Sequence, residues 1–179
     1  MQRQRDLLEW LSGTSRAEVP ARIYEWLSLD DVAENPESFL GPDIGRVAVI
    51  TLVALAVRDQ PHAAAAAVAY PWATRCADLT ATWNPGVAML GSTHLYAAHL
   101  AFALGERNAG VSHLKRAIEQ NDRLGARPFL AIALHDLANV LDADTADAIA
   151  ARNRGAHLAT ELGMDWLNAP RVSREPNAS

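Results

Sequence analysis

Several features that whole classes of protein depend on are scarce in this chain. Cys76 is the single cysteine among 179 residues, so no intramolecular disulfide can form, and a reducing cytoplasm is favoured. We expect Cys76 to be a small core residue. The longest apolar run, residues 47–57, is shorter than the roughly 20 residues needed to span a bilayer. No apolar signal segment follows Arg3 and Arg5, so we expect a cytoplasmic protein that does not enter membranes.

Positive charge and aromatic side chains are also sparse. The formal net charge is −5, and beyond Arg3 and Arg5 no cluster of basic residues could displace counterions from a nucleic acid. We therefore expect no direct contact with DNA or RNA. Aromatic residues make up 6% of the chain although the hydrophobic fraction is 50%, much of it alanine. This composition favours closely packed helices over sheets.

Residues that could support catalysis or bind a metal do not form a recognisable pattern. His94 and His99 lie about 140° apart on a helix, so they cannot chelate one ion together. The adjacent His135 and Asp136 resemble the pair found in metal-dependent phosphohydrolases, but the other ligands of such a site are not recognisable. A packing or capping role for Asp136 fits better, and a cryptic hydrolase remains a distant alternative. Cys76 has no neighbouring base, so we expect no enzyme activity, no metal and no cofactor.

A helical-hairpin pattern occurs twice between Gly91 and Leu167, with a spacing of about 38 residues. Gly105, Gly125 and Gly163 each follow an apolar run, where the end of a helix favours a left-handed residue. Pro128 suits the first turn of a helix. Repeats of this length indicate stacked helix pairs, which generally bind partners rather than convert substrates.

The remaining sequence predicts further helices in one continuous domain. We expect helices over residues 6–11, about 15–29, 46–57 and 63–74, an irregular segment at 30–45, and a turn at 83–86. The predicted fold is all-α: a right-handed array of antiparallel helical hairpins, a tetratricopeptide-like α-solenoid of roughly seven or eight helices. A single domain would cover residues 1–169, and we expect a disordered tail at 170–179.

A recurring text within 91–167 carries a resemblance to a known family. Its residues are Gly91-Ser92, Leu100-Ala101, Leu104-Gly105, His113-Leu114, Ala117-Ile118, Arg123-Leu124-Gly125-Ala126-Arg127-Pro128, Leu130-Ala131, Asp136-Leu137-Ala138 and Glu161-Leu162-Gly163-Met164. This text resembles the C-terminal helical repeats of large bacterial regulators that join an ATPase module to a LuxR-type DNA-binding domain or an adenylate-cyclase-like domain. The chain departs from the family text at Ala97-Ala98, at Asn108-Ala109-Gly110 and at Phe129. It also lacks a phosphate-binding loop and a basic helix-turn-helix segment, so the ATPase and DNA-reading functions are not carried over.

The resemblance implies a non-catalytic protein-interaction or regulatory module of bacterial signal transduction or transcriptional regulation. In a stacked array the first helix of each pair lines the inner curve, and by register Leu95, His99 and Phe102 form the candidate partner-binding groove. Leucine and phenylalanine at helical spacing are more often core residues, and that alternative stays open. A small-molecule effector held near His99 and Phe102 is the alternative function. We also expect self-association through a terminal hairpin, because an incomplete array exposes an apolar end.

Overall fold

The computed structural model describes residues 27–40, 46–83 and 88–167. Within these ranges the chain is mostly helical, as predicted, with eight α-helices, one short 3-10 helix at Asp165–Leu167 and one two-stranded hairpin. The helices are α1 (Leu29–Glu34), α2 (Pro36–Leu40), α3 (Arg46–Asp59), α4 (Ala63–Arg75), α5 (Thr93–Ala103), α6 (Arg107–Arg123), α7 (Arg127–Val140) and α8 (Ala146–Glu161). None of the helices in these ranges is long and apolar enough to cross a membrane.

The helices between residues 27 and 75 agree only in part with the predicted local structure. The helices predicted over 46–57 and 63–74 are confirmed as α3 and α4, and α4 continues through Pro71. The segment predicted as irregular contains two short helices, α1 and α2. Ser28 caps α1 by accepting a hydrogen bond from the Asp31 amide. Predictions for residues 1–26, 41–45, 84–87 and 168–179, including the upstream helices, most of the turn at 83–86 and the tail, fall outside the described residues.

A small antiparallel hairpin separates α4 from α5, and the sequence did not predict it. Strand β1 (Thr80–Trp83) pairs with β2 (Ala88–Ser92), with Thr80 opposite Ser92 and Thr82 opposite Met89. The expectation of a chain without strands was therefore wrong. Threonine and tryptophan favour strands, but a strand of four residues is too short to show a clear alternation of polar and apolar positions.

The glycine and serine that open the repeated text join the hairpin to the helices. Gly91 has a φ of 74°, and a Cβ at this position would lie 2.7 Å from the Asn121 side chain and from Phe129. Ser92 caps α5, because its hydroxyl accepts a hydrogen bond from the His94 amide. The Ser92 amide donates to Asn121 Oδ1 at 2.8 Å. The start of α5 is thereby fixed against α6.

Three helices end in the same way, as the glycine spacing predicted. Gly105, Gly125 and Gly163 have φ values of 77°, 64° and 66°, the left-handed conformation that closes a helix. In each case the amide of the next residue donates to a carbonyl five residues earlier. These hydrogen bonds join Glu106 to Ala101, Ala126 to Asn121 and Met164 to Ala159. Pro128 lies in the first turn of α7, as predicted. Thr145 caps α8 by accepting a hydrogen bond from the Ala148 amide.

The core is built from helices that pack on their sequence neighbours. Each of α3 to α8 contacts the helix that follows it, and α5 also packs against α3. Helix α5 lies centrally, with every residue from Thr93 to Ala101 buried. Close approach of α5 and α6 depends on Gly110, where a Cβ would come within 2.4 Å of the Phe102 ring. Such packing agrees with the alanine-rich, aromatic-poor composition.

Candidate functional site

The candidate groove residues lie in the packed interior. Leu95 is 1% exposed and His99 is 4% exposed, while Phe102 is half-buried against Gly110. The reason is that α3, α4 and α6 all pack around α5, so this stripe is covered by neighbouring helices. The expectation that these residues face an open groove is corrected for the isolated chain. Their contact with a partner stays a prediction.

His99 belongs to a buried charge cluster that links three helices. Asp136 of α7 accepts a hydrogen bond from Arg58 Nη2 of α3 at 2.7 Å through Oδ1. Its Oδ2 accepts from His99 Nε2 of α5 at 2.8 Å. The side chains of Arg58, Asp136 and His99 are 10%, 6% and 3% exposed. We call these three residues the sealed cluster.

The sealed cluster has a structural role that follows from its burial. Removing charges from water is costly, and that cost is offset only when each charge keeps a well-placed partner. Asp136 supplies one carboxylate oxygen to each partner, so it holds α3 and α5 against α7. This agrees with the packing role predicted for Asp136. Sequence reasoning missed Arg58, although a cation directly after the apolar run 47–57 is a recognisable signal.

A second polar cluster lies at the start of α5 and brings together residues that are separated in sequence. His94 Nδ1 of α5 is 2.9 Å from His113 Nδ1 of α6. His94 Nε2 is 3.3 Å from Asp78 Oδ1, and His113 Nε2 is 3.4 Å from the hydroxyl of Tyr70 in α4. The side chain of His94 is 4% exposed, whereas that of Asp78 is 95% exposed. We call these four residues the two-histidine cluster.

The proton positions in the two-histidine cluster follow from the partners. A carboxylate only accepts, so His94 Nε2 carries a hydrogen and His94 Nδ1 presents a lone pair. His113 Nδ1 can then donate to His94 if the Tyr70 hydroxyl donates to His113 Nε2. With this arrangement the hydrogen bonds run in one direction, from Tyr70 through both histidines to Asp78.

Burial favours the neutral forms of the two-histidine cluster. Burial lowers the pKa of His94, and Asp78 opposes this shift only in part. The pKa of His113 is lowered by burial, then by His94 and by the Arg116 guanidinium. Burial, and secondarily Glu106, raises the pKa of Tyr70. Both shifts favour the neutral imidazoles over the protonated ones.

His135 and Asp136, which are adjacent in sequence, do not act as a pair. His135 Nε2 lies 2.8 Å from Asn139 Nδ2 on the same helix, whereas Asp136 contacts Arg58 and His99. Within residues 27–40, 46–83 and 88–167, no group of three His, Cys, Asp or Glu side chains is arranged to hold a metal ion. Sequence reasoning also missed the meeting of His94 and His113, because it compared histidines only within one helix.

No protein-family model, curated protein or solved structure matches this chain. The resemblance to the bacterial regulators consequently rests on the repeated text of residues 91–167 and stays a prediction.

Proposed function

We propose that this chain is a non-catalytic protein-interaction module of bacterial signal transduction or transcriptional regulation, built as a tetratricopeptide-like stack of helical hairpins. The order of packing supports this arrangement, since each of α3 to α8 contacts the helix that follows it. The shared glycine-ended closure of α5, α6 and α8 supports a repeated unit. In such a stack α3, α5 and α7 are the first helices of successive pairs, and they line one side.

The observation that carries the proposal is the sealed cluster, which takes one residue from each of these three helices. Arg58, His99 and Asp136 meet within hydrogen-bond distance, which supports a stack in which α3, α5 and α7 lie on the same side. His135 and Asn139 lie beside Asp136 on α7 and are half-buried and exposed, respectively. A partner that docks on the shared face would therefore contact His135 and Asn139 first.

The test is affinity capture of the tagged chain from a lysate of its own host, read by quantitative mass spectrometry. We expect a stoichiometric protein with the wild type that is lost with His135→Glu. Arg152→Glu is the matched control, because Arg152 is exposed on α8, the second helix of its pair. Phe102→Asp is unsuitable because Phe102 packs on Gly110. Capture of the chain alone would contradict the proposal and favour the small-molecule effector, which predicts saturable thermal stabilisation by a metabolite.

We also propose that the chain self-associates through its terminal hairpin, α7 and α8. Ile149 of α8 is 44% exposed, and stacked repeats bury their apolar faces only against neighbours. Light scattering across a range of concentrations should show a mass that rises for the wild type and stays monomeric for Ile149→Asp. A monomeric wild type at the highest concentration would refute this contact.

A further inference from the structure

Helix α4 is attached to the rest of the core through small side chains. Its buried residues are all alanines: Ala65, Ala66, Ala69 and Ala73. An alanine methyl buries little apolar surface, so each of these contacts adds little to stability. Pro71 lies inside the helix, and it lacks the amide hydrogen that would bond to an earlier carbonyl. Polar contacts therefore carry a larger share of the attachment in α4 than in α3, which buries leucine, isoleucine and valine.

One of these polar contacts is made by His62, and its geometry needs a neutral ring. The Nδ1 atom of His62 accepts a hydrogen bond from the Ala65 amide at 3.1 Å and so caps α4. The Nε2 atom lies 3.0 Å from Asp30 Oδ1 of α1. An amide only donates and a carboxylate only accepts, so the single hydrogen of the ring is on Nε2. A second hydrogen, on Nδ1, would face the Ala65 N–H and remove the cap.

His113 makes another contact with α4 that favours a neutral ring. Its Nε2 lies 3.4 Å from the Tyr70 hydroxyl of α4, and its Nδ1 lies 2.9 Å from His94 Nδ1 of α5. Both nitrogens of His113 are therefore engaged, and an added proton must turn the Tyr70 hydroxyl round or break the contact with His94. It would also put a positive charge near the Arg116 guanidinium. Burial, then His94 and Arg116, lowers the pKa of His113 for these reasons.

We propose that α4 is a helix released by acid: protons taken up by His62 and His113 detach it from α1, α5 and α6. The attached state needs both rings neutral, whereas the released state can hold a proton on each. Proton uptake therefore favours release as the pH falls through the range in which histidine titrates. Helix α5 is buried from Thr93 to Ala101 and packs against α4, so release would uncover apolar surface on α5.

The charge that faces His62 does not cancel the loss of its cap. Protonated His62 would form an ion pair with Asp30, but the side chain of Asp30 is 84% exposed, and such pairs stabilise little. A cation at the start of a helix is also opposed by the helix dipole. The balance at His62 therefore favours release of α4.

The other charged groups around α4 come from α3, α6 and the segment after α4. Asp78 favours the protonated form of His94, and Arg116 opposes it. Glu106, at the start of α6, acts on Tyr70. On the other side, the guanidinium of Arg46 in α3 lies 4.0 Å from the centre of the Trp72 ring. Histidine is the side chain whose charge ordinarily changes between about pH 5 and pH 8, so we assign the release to the histidines.

The experiment is hydrogen exchange of the full chain followed by mass spectrometry at about pH 7.5 and about pH 5.5, corrected for the intrinsic pH dependence of exchange. We expect the protection of residues 63–75 to fall about 10-fold more than that of α7 and α8, the effect of a free-energy change equal to one pKa unit. Helices α7 and α8 serve as the internal control for global unfolding. An equal fall in all three helices would overturn the proposal, and this comparison needs only the wild type.

Variants of the two histidines test whether they are the source of the release. The double variant His62→Ser with His113→Gln does not titrate at these positions, and serine still caps a helix. Its residues 63–75 should lose no more protection at the lower pH than α7 and α8 do. His157→Gln is the matched control and should behave as the wild type, because His157 is 74% exposed on α8. A selective loss at residues 63–75 that persists in the double variant would refute the role of these histidines.

Discussion

Two polar clusters share helix α5, and they differ in the charge and the solvent exposure of their side chains. The sealed cluster contains the buried charges of Arg58 and Asp136. Each charge offsets the cost of burying the other. The two-histidine cluster is held neutral by burial and opens to water at Asp78. The first joins three helices through a buried ion pair, whereas the second joins α4, α5 and α6 through two imidazoles and a hydroxyl. Histidines five residues apart on one helix thus serve different purposes because different helices face them.

The largest effect should come from removing the centre of the sealed cluster. Asp136→Ala leaves the Arg58 guanidinium buried without its carboxylate, and we expect the free energy of unfolding to fall by about 3–5 kcal/mol. Urea denaturation followed by circular dichroism measures it. The double variant Arg58→Met with Asp136→Leu removes both charges and should recover most of that loss. A drop below about 1 kcal/mol in Asp136→Ala would show that the pair is not buried as described.

A smaller loss of stability is expected at the contact between α5 and α6. Gly110→Ala places a Cβ against the Phe102 ring, and we expect a loss of about 1–3 kcal/mol from overpacking. Adding Phe102→Leu should restore part of it. Gly105→Ala is the matched control, since no atom lies within 4 Å of its Cβ and its cost comes from a φ of 77°. Phe102→Leu should therefore not rescue Gly105→Ala.

Acidification should weaken the two-histidine cluster. The pKa values of His94 and His113 lie below the usual 6.5 in the folded state, so the unfolded chain takes up protons first as the pH falls. Stability is therefore fully present above pH 6.5 and is lost progressively below it. The urea midpoint measured from about pH 7.5 to about pH 5 should fall less in His113→Gln. An equal fall of the urea midpoint in both proteins would show that this pH dependence does not come from the two-histidine cluster.

The smallest effect belongs to the exposed ion pairs between α6 and α8. Lys115 and Asp147 lie 3.0 Å apart with side chains 52% and 65% exposed. Lys115→Ala should cost only about 0.2–1 kcal/mol, and the cost should vanish in about 1 M salt. If Lys115→Ala lost more stability than Gly110→Ala, and salt did not change that loss, exposed ion pairs would not be the weaker ones.

Much of the helical framework could be predicted from residues close together in sequence. Gly105, Gly125 and Gly163 marked helix ends correctly because the left-handed conformation is a property of the single residue. Pro128 marked a helix start for a similarly local reason. The short β1 and β2 strands were missed because a strand forms only when its partner is present, and four residues carry too little pattern to reveal it.

The candidate site was predicted less well. Leu95, His99 and Phe102 were selected by helical register as a groove, but register alone could not show that other helices cover that stripe. Asp136 was assigned to packing, yet neither of its partners was identified. The pairing of His94 with His113 was not considered at all, since the two residues belong to different helices.

The sequence by itself determined where most described helices begin and end, because capping, backbone conformation and helical periodicity depend on neighbours within a few residues. The tertiary structure decided which polar groups meet. Arg58 and Asp136 are 78 residues apart, and His94 and His113 are 19 apart. Such contacts depend on how closely the helices approach and on which face each one buries. Both the approach of the helices and the choice of buried face depend on how alanine and glycine pack across the whole core, and not on any local pattern.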